Sequence, residues 1–172
     1  MTKINLLSLV LAGAVLGLPL AVSGQNKAER KAEKARKVQE CLKADSFAIE
    51  VDNALTMGGR NVSLSSFYSL EVRNDSVFSR LPYYGRAYYV PYGGGQGLMF
   101  EAKMLDYKKT PGKGKKKGSC EIRFSARTPE DYYTFMIDVF GNGSASIHVT
   151  AQNRQPIDYL GEMTWEEESR SK

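Results

Sequence analysis

Two hydrophobic periods divide the chain. Over residues 25–44, Ala28, Ala32, Ala35, Val38 and Leu42 fall on one stripe at helical spacing, with Glu29 and Glu33 within a turn of Lys31, Lys34 and Lys37. The pattern predicts a charged lead-in helix over 24–45. Its stripe is thin and mostly alanine, so it buries little, and the expectation is a solvated helix loosely docked on the remainder of the chain. A basic helix for anionic lipid headgroups or for self-association is the sharper alternative, but no Trp or Phe and only one Leu lie on the apolar face.

From Ser46 the period becomes two. Phe47, Ile49 and Val51 alternate with Ala48, Glu50 and Asp52, and Val62, Leu64, Tyr68, Leu70 and Val72 share a parity. Leu98, Phe100, Ala102 and Met104 form a further strand, as do Cys120, Ile122, Phe124 and Ala126. Tyr133, Phe135, Ile137 and Val139 follow, then Ala145, Ile147 and Val149, then Ile157, Tyr159, Met163 and Trp165. With a short piece over 76–81 these make eight candidate strands in 46–168. Asn74-Asp75, Thr128-Pro129-Glu130, Gly141-Asn142-Gly143 and the 153–156 stretch supply short turns between neighbours. Short links between alternating strands imply antiparallel pairs. The fold class is all-β, a mainly antiparallel meander forming a sandwich or a small barrel, preceded by one helix.

The first residues change the picture by setting a compartment. After Lys3 an apolar run over 4–22 ends in Ala21-Val22-Ser23, small residues of the kind a signal peptidase reads. The expectation is a signal peptide over 1–23 and a periplasmic or secreted domain with no membrane span after signal removal. An uncleaved anchor is the alternative, weakened by Gly13, Gly17 and Pro19. An outer-membrane barrel is a rival for an exported eight-stranded chain. Against it, Glu101, Lys103, Glu121, Arg123, Asp138 and Glu162 take the off-core parity, where charge facing lipid is costly. The end of the chain, with 169–172 as a tail, is also charged. Net charge is +5 for the whole chain, and losing Lys3 lowers it by one, a balance too mild to imply nucleic acid.

Candidate chemistry is sparse. The single histidine, His148, shares parity with Ser144, Ser146 and Thr150, which predicts an exposed position without a second ligand at metal spacing. No nucleophile motif accompanies it. A hydrolase needs only two carboxylates, so Glu101, Glu121, Asp138 and Glu162 stay in play, although alternating charge is what any solvated sheet face shows. The run Gly93-Gly94-Gly95 with Gly97 lacks the Lys-Ser/Thr ending of a phosphate loop and precedes a strand rather than a helix. Lys113, Lys115, Lys116 and Lys117 lie among Gly and Pro and read as a basic hairpin loop. Cys41 and Cys120 would sit in an oxidising compartment, yet Cys120 has core parity and Cys41 lies off the helix stripe, which favours two free thiols over a disulfide. No cofactor and no metal are expected.

One segment exceeds what scaffolding requires. Residues 81–100 read LPYYGRAYYVPYGGGQGLMF, with five of the chain's ten tyrosines, Tyr83, Tyr84, Tyr88, Tyr89 and Tyr92, around Arg86. Tyrosine offers a flat apolar ring and a hydroxyl at low entropy cost, and Arg86 a forked donor for a carboxylate or a hydroxyl pair. These six residues are the candidate binding site. The alternative is that the rings lie over a barrel end and are buried there. Pro82 and Pro91 stiffen the crossing.

The strings PYYGRAYYVPYGGGQGLMF, YTFMIDVFGNGSASIHVTAQNRQPIDYLGEM and FAIEVDNALTMGGRNVSLSSFYSLEV resemble an exported bacterial family, domain of unknown function 4251, over 47–163. The resemblance implies a secreted β-rich domain and carries over no catalytic residue. The leading reading is a non-enzymatic binding or accessory module for an envelope glycan, peptide or lipid-like ligand. A structural envelope protein that binds another protein is the first rival and a carboxylate-pair hydrolase the second. A large cavity inside the barrel favours the small-ligand binder, whereas a filled core under an exposed tyrosine patch favours a protein partner. Oligomeric state is left open by the sequence.

Overall fold

A computed structural model describes residues 22–89, 97–113 and 118–165. Residues 1–21, on which most of the expected signal peptide falls, Tyr92 with Gly93 to Gly95, Lys115 to Lys117 and residues 166–172 lie outside the described residues. One helix, α1 (Val22–Ala44), precedes β1 (Ser46–Thr56), β2 (Asn61–Arg73), β3 (Ser76–Leu81), β4 (Leu98–Pro111), β5 (Cys120–Arg127), β6 (Tyr132–Val139), β7 (Ser144–Ala151) and β8 (Ile157–Thr164). Each strand pairs antiparallel with the next, and β8 returns to β1, closing a barrel. Closure removes the two sheet edges that an open meander of this length would expose. It also decides between sandwich and barrel.

The alternation turns one parity inward. Ile49, Leu70, Val72, Val77, Ile122, Phe135, Ile137 and Tyr159 are fully buried. An eight-stranded barrel is just wide enough for side chains to fill it, and here they do. An aromatic column runs through the middle. Phe100 stacks on Tyr133 with centroids 4.8 Å apart, Tyr133 meets Phe135 at 6.4 Å, Phe135 stacks on Phe124 at 4.9 Å, and Phe124 meets Tyr107 at 6.5 Å.

Two bulges interrupt the alternation. At Asp52 the register of β1 slips against both β2 and β8, so Ala54, on the outward parity by counting from Ile49, is fully buried. Gly161 of β8 sits in that slip. A Cβ there would collide with the Glu50 carbonyl oxygen and come within 2.8 Å of Val51 Cα. The second slip, between Leu105 and Lys108 of β4, carries Asp106 at φ 54°. Beyond it Tyr107 and Lys109 face the helix.

The helix closes one end of the barrel, and here the expectation of loose docking is corrected. Val38 and Leu42 are buried, although residues 27–33 are exposed. The alanine stripe understates the contact because the burial falls on the two larger residues of the last two turns. Each contributes about 1.5–3 kcal/mol. Asp45 ends the helix in the left-handed conformation, φ 48°, and its carbonyl accepts from the Asn74 N–H at 3.1 Å. Its carboxylate takes hydrogen bonds from Tyr107 and Lys109, each at 2.6 Å, while Lys109 also donates to the Leu42 carbonyl. Lys34 pairs with Glu162, and Lys37 lies 5.4 Å over the Trp165 ring.

Candidate functional site

The opposite end of the barrel is crossed by the tyrosine segment, described over 82–89. It leaves β3 and reaches the β7–β8 loop, half the barrel circumference away, before the chain returns to β4. There it pairs. Ala87 and Arg154 form an antiparallel bridge, the Tyr88 N–H donates to the Asn153 carbonyl at 2.7 Å, and the Gln155 N–H donates to the Arg86 carbonyl at 2.9 Å. The Arg86 N–H donates to the Gln155 side-chain oxygen at 3.2 Å. Both ends of the strap are held from inside the barrel: Tyr159 donates to the Pro82 carbonyl at 2.7 Å and Tyr133 to the Gly97 carbonyl at 3.0 Å. Burial raises the pKa of both phenols above the ordinary value, so they remain donors at any physiological pH.

Beneath the strap lies a buried charge pair that the sequence pattern did not reveal. The Asp131 side chain is wholly buried and Arg154 nearly so, with Nε 3.5 Å from Oδ2. Neither of those atoms has a hydrogen-bond partner, so the ion pair is all that compensates them. The other oxygen, Oδ1, takes the backbone N–H groups of Tyr132, Gln152 and Asn153 at 2.9–3.2 Å. Arg154 also reaches Glu130 at 3.3 Å and lies 5.5 Å over the Tyr83 ring. The only signal available beforehand was Arg154 itself, at the end of the NGSASIHVTAQNR string.

The five described candidates divide. Tyr83 is half-buried and works as a clamp, its hydroxyl pointing at the Gln155 and Arg86 carbonyls at 2.9 and 3.0 Å. Burial raises its pKa, with the Gln155 carbonyl and Arg154 opposing. Its ring folds back over Gly85, where a Cβ would come within 2.6 Å of Tyr83 Cζ. Tyr84, Tyr88 and Tyr89 are 41, 65 and 62 % exposed, and Arg86 is exposed between them. Burial of the whole set over the barrel end is therefore not what the segment does. Among the five described candidates only Tyr83 behaves so, and three rings and one guanidinium stand on the outside of a strap that is fastened underneath.

Other chemistry is dispersed. His148 is on the outer face, as its parity predicts, with Nδ1 2.6 Å from Asp158. Glu101, Glu121, Asp138 and Glu162 lie on four strands; Glu121 is bonded to Arg123 at 2.6 Å and Glu162 to Lys34. Cys41 and Cys120 are free thiols, Cys120 buried, and burial raises the pKa of both. Among the described residues no three His, Cys, Asp or Glu side chains gather closely enough to hold a metal. No described helix is long and apolar enough to cross a membrane.

The fold has a solved counterpart. A crystal structure of a DUF4251 family protein from Bacteroides eggerthii superposes with a TM-score of 0.60, covering 78 % of this chain and 89 % of that one at 16 % identity. At that identity the likeness establishes the fold alone. No curated protein matches the chain. A family model described as Domain of unknown function (DUF4251) matches residues 29–163, which takes in the docked end of the helix, the eight strands except for Thr164, the strap and the Asp131–Arg154 pair beneath it. The chain belongs to that family.

Proposed function

We propose that this protein is a non-enzymatic binding module of the bacterial cell envelope, exported as a precursor cleaved near Ser23, that docks a partner protein on the outer face of its tyrosine strap. One observation carries the reading: Tyr84, Tyr88 and Tyr89 stay exposed on a segment whose backbone is hydrogen-bonded to the β7–β8 loop and anchored by Tyr133 and Tyr159. Exposed rings cost solvation, and a strap that needed them only for folding would turn them inward, as it turns Tyr83. Large rings on a rigid support are what binding surfaces use, because little entropy is lost on docking.

The filled barrel supports an outside ligand over one held in the lumen. The charged outer parity supports an aqueous setting. Glu101 and Lys103 project from β4, Arg123 from β5 and Glu162 from β8, all exposed. At mid-bilayer Lys103 and Arg123 would cost about 2–4 kcal/mol each, and the glutamates less.

The test is photo-crosslinking in the native host. A benzophenone amino acid placed at Tyr88 or Tyr89 is expected to trap a discrete protein, while the same group at Ser146, on the barrel wall, traps none. Equal patterns from strap and wall would overturn the reading. So would a glycan or lipid adduct in place of a protein.

A further inference from the structure

Strand β4 has an open side. It is 14 residues long, whereas β5 has 8. Residues 98–103 pair with β3, from Leu81↔Leu98 to Ser76↔Lys103. Pairing with β5 begins only at Met104↔Ala126. Over those first residues the side of β4 that faces β5 has no strand partner among the described residues. The chain across the gap does not fill it. Beyond Arg127 it forms a turn that satisfies itself: the Thr128 N–H donates to the Asp131 carbonyl at 2.9 Å, and the Thr128 hydroxyl accepts from the Glu130 and Asp131 N–H groups at 3.2 and 3.1 Å. Between β4 and this turn lies a cleft of about 260 Å³, bordered by Gly97, Phe100, Pro129, Glu130 and Tyr133. Its floor is the Phe100–Tyr133 stack.

We infer that this slot takes an extended segment of the partner polypeptide, added as a strand along residues 98–103 of β4. The inference rests on the reading that this end of the barrel docks a protein, and adds the mode of docking. A ladder edge is complementary to one thing above all, another polypeptide backbone. The neighbouring side chains state what that segment carries. Residues facing the floor meet Phe100, Ala102 and Tyr133, so they are apolar. Residues on the outer face lie beside Met99 and Glu101, both exposed; Lys103 further along is paired with Asp75, and Glu130 on the rim is paired with Arg154. Glu101 calls for a basic residue opposite it on the outward parity. A second copy of this chain pairing through the same edge fits less well, because it would bring its own Glu101 to a slot already carrying that acid.

The experiment uses the whole protein and synthetic peptides of about eight residues that alternate Val with Lys or Thr. In the free protein, amide exchange read by NMR should alternate along 98–103, with slow amides facing β3 and every second one at least about 100-fold faster. Adding peptide should protect the fast set. N-methylating the peptide backbone at one parity should weaken binding about tenfold or more, and at the other parity hardly at all. Replacing the peptide lysines by glutamate should weaken it similarly, and Glu101→Lys should reverse that preference. Uniformly slow exchange along 98–103 would overturn the inference, since the chain would then be covering its own edge. So would equal binding by peptides N-methylated at either parity, or no binding below about 1 mM. Should crosslinks form at Tyr88 and Tyr89 while the parity effect is missing, the partner docks on the rings without adding a strand; the inference then fails and the proposed function stands.

Discussion

At Gly161 two backbones come closer than any side chain permits. The β1 bulge at Asp52 pushes Glu50 and Val51 against it, and the atoms in the way are main-chain atoms that cannot rotate aside. Gly161→Ala should therefore cost about 3 kcal/mol or more, at the upper end of overpacking effects, because the bulge must reopen. A urea midpoint within about 0.3 M of wild type, equivalent to well under 1 kcal/mol, would show that the bulge yields freely. The Asp131–Arg154 pair predicts a contrast. Asp131→Ala strands a buried guanidinium and three backbone N–H groups, with an expected loss of about 3–5 kcal/mol. His148→Ala removes a partner from an exposed pair and should cost under about 1 kcal/mol. Equal losses would mean that the buried pair is not what secures the strap. Neither Gly161 nor Asp131 stands out in the sequence. A glycine in a strand looks like a weak position, and a buried Asp looks like one more turn residue, because both roles are created by segments far away along the chain.

Elements are legible in proportion to how regular their burial is. The strands emerge because each buries one face against a single filled interior, so period two survives from Phe47 to Met163 wherever no bulge intervenes. A bulge moves the parity by one residue, and nothing in the letters around Asp52 or Asp106 announces it. The helix is harder to read because its stripe as a whole is weak, while docking uses only its last turns. The joint there is also electrostatic. Burial acts to raise the Asp45 pKa, but hydrogen bonds from Lys109 and Tyr107 and the Lys109 charge outweigh it and hold the carboxyl below the ordinary carboxylate range. For Tyr107, burial comes first and the Asp45 hydrogen bond second, and both raise the phenol. A carboxylate with a lowered folded pKa adds stability that is present above its unfolded value, about 3.9, and lost as pH falls through the folded value. Docking of the helix should thus be unchanged from pH 7 to about pH 5 and weaken below about pH 4. The only tryptophan, Trp165, lies against Lys37 of the helix and reports on it by fluorescence. Asp45→Asn should weaken docking at neutral pH and remove the acid transition. An acid transition unchanged in Asp45→Asn would assign it to other carboxylates.

For the whole molecule, the decisive property is that the barrel is stoppered at both ends and packed between. The helix stands over one mouth and the strap over the other, and the column from Phe100 through Tyr133, Phe135 and Phe124 to Tyr107 occupies the length between them. Eight strands can equally enclose a ligand, and composition cannot tell a lined pocket from a filled one, since both need the same apolar parity. That is why the fold class is readable from the alternation while the filling of the interior is not. The filled interior has a measurable consequence. Phe135→Ala removes a fully buried ring from the middle of the column and should cost about 3–5 kcal/mol through lost transfer energy and a residual void. A void bordered by Phe124, Phe100 and Val149 is apolar and should stay dry, so benzene should enter it and raise the melting temperature of the variant. The same benzene concentration should leave wild type unmoved. A comparable rise in wild type would mean that the native barrel already holds room for a small apolar ligand, and docking on the strap would then have a competitor inside the lumen.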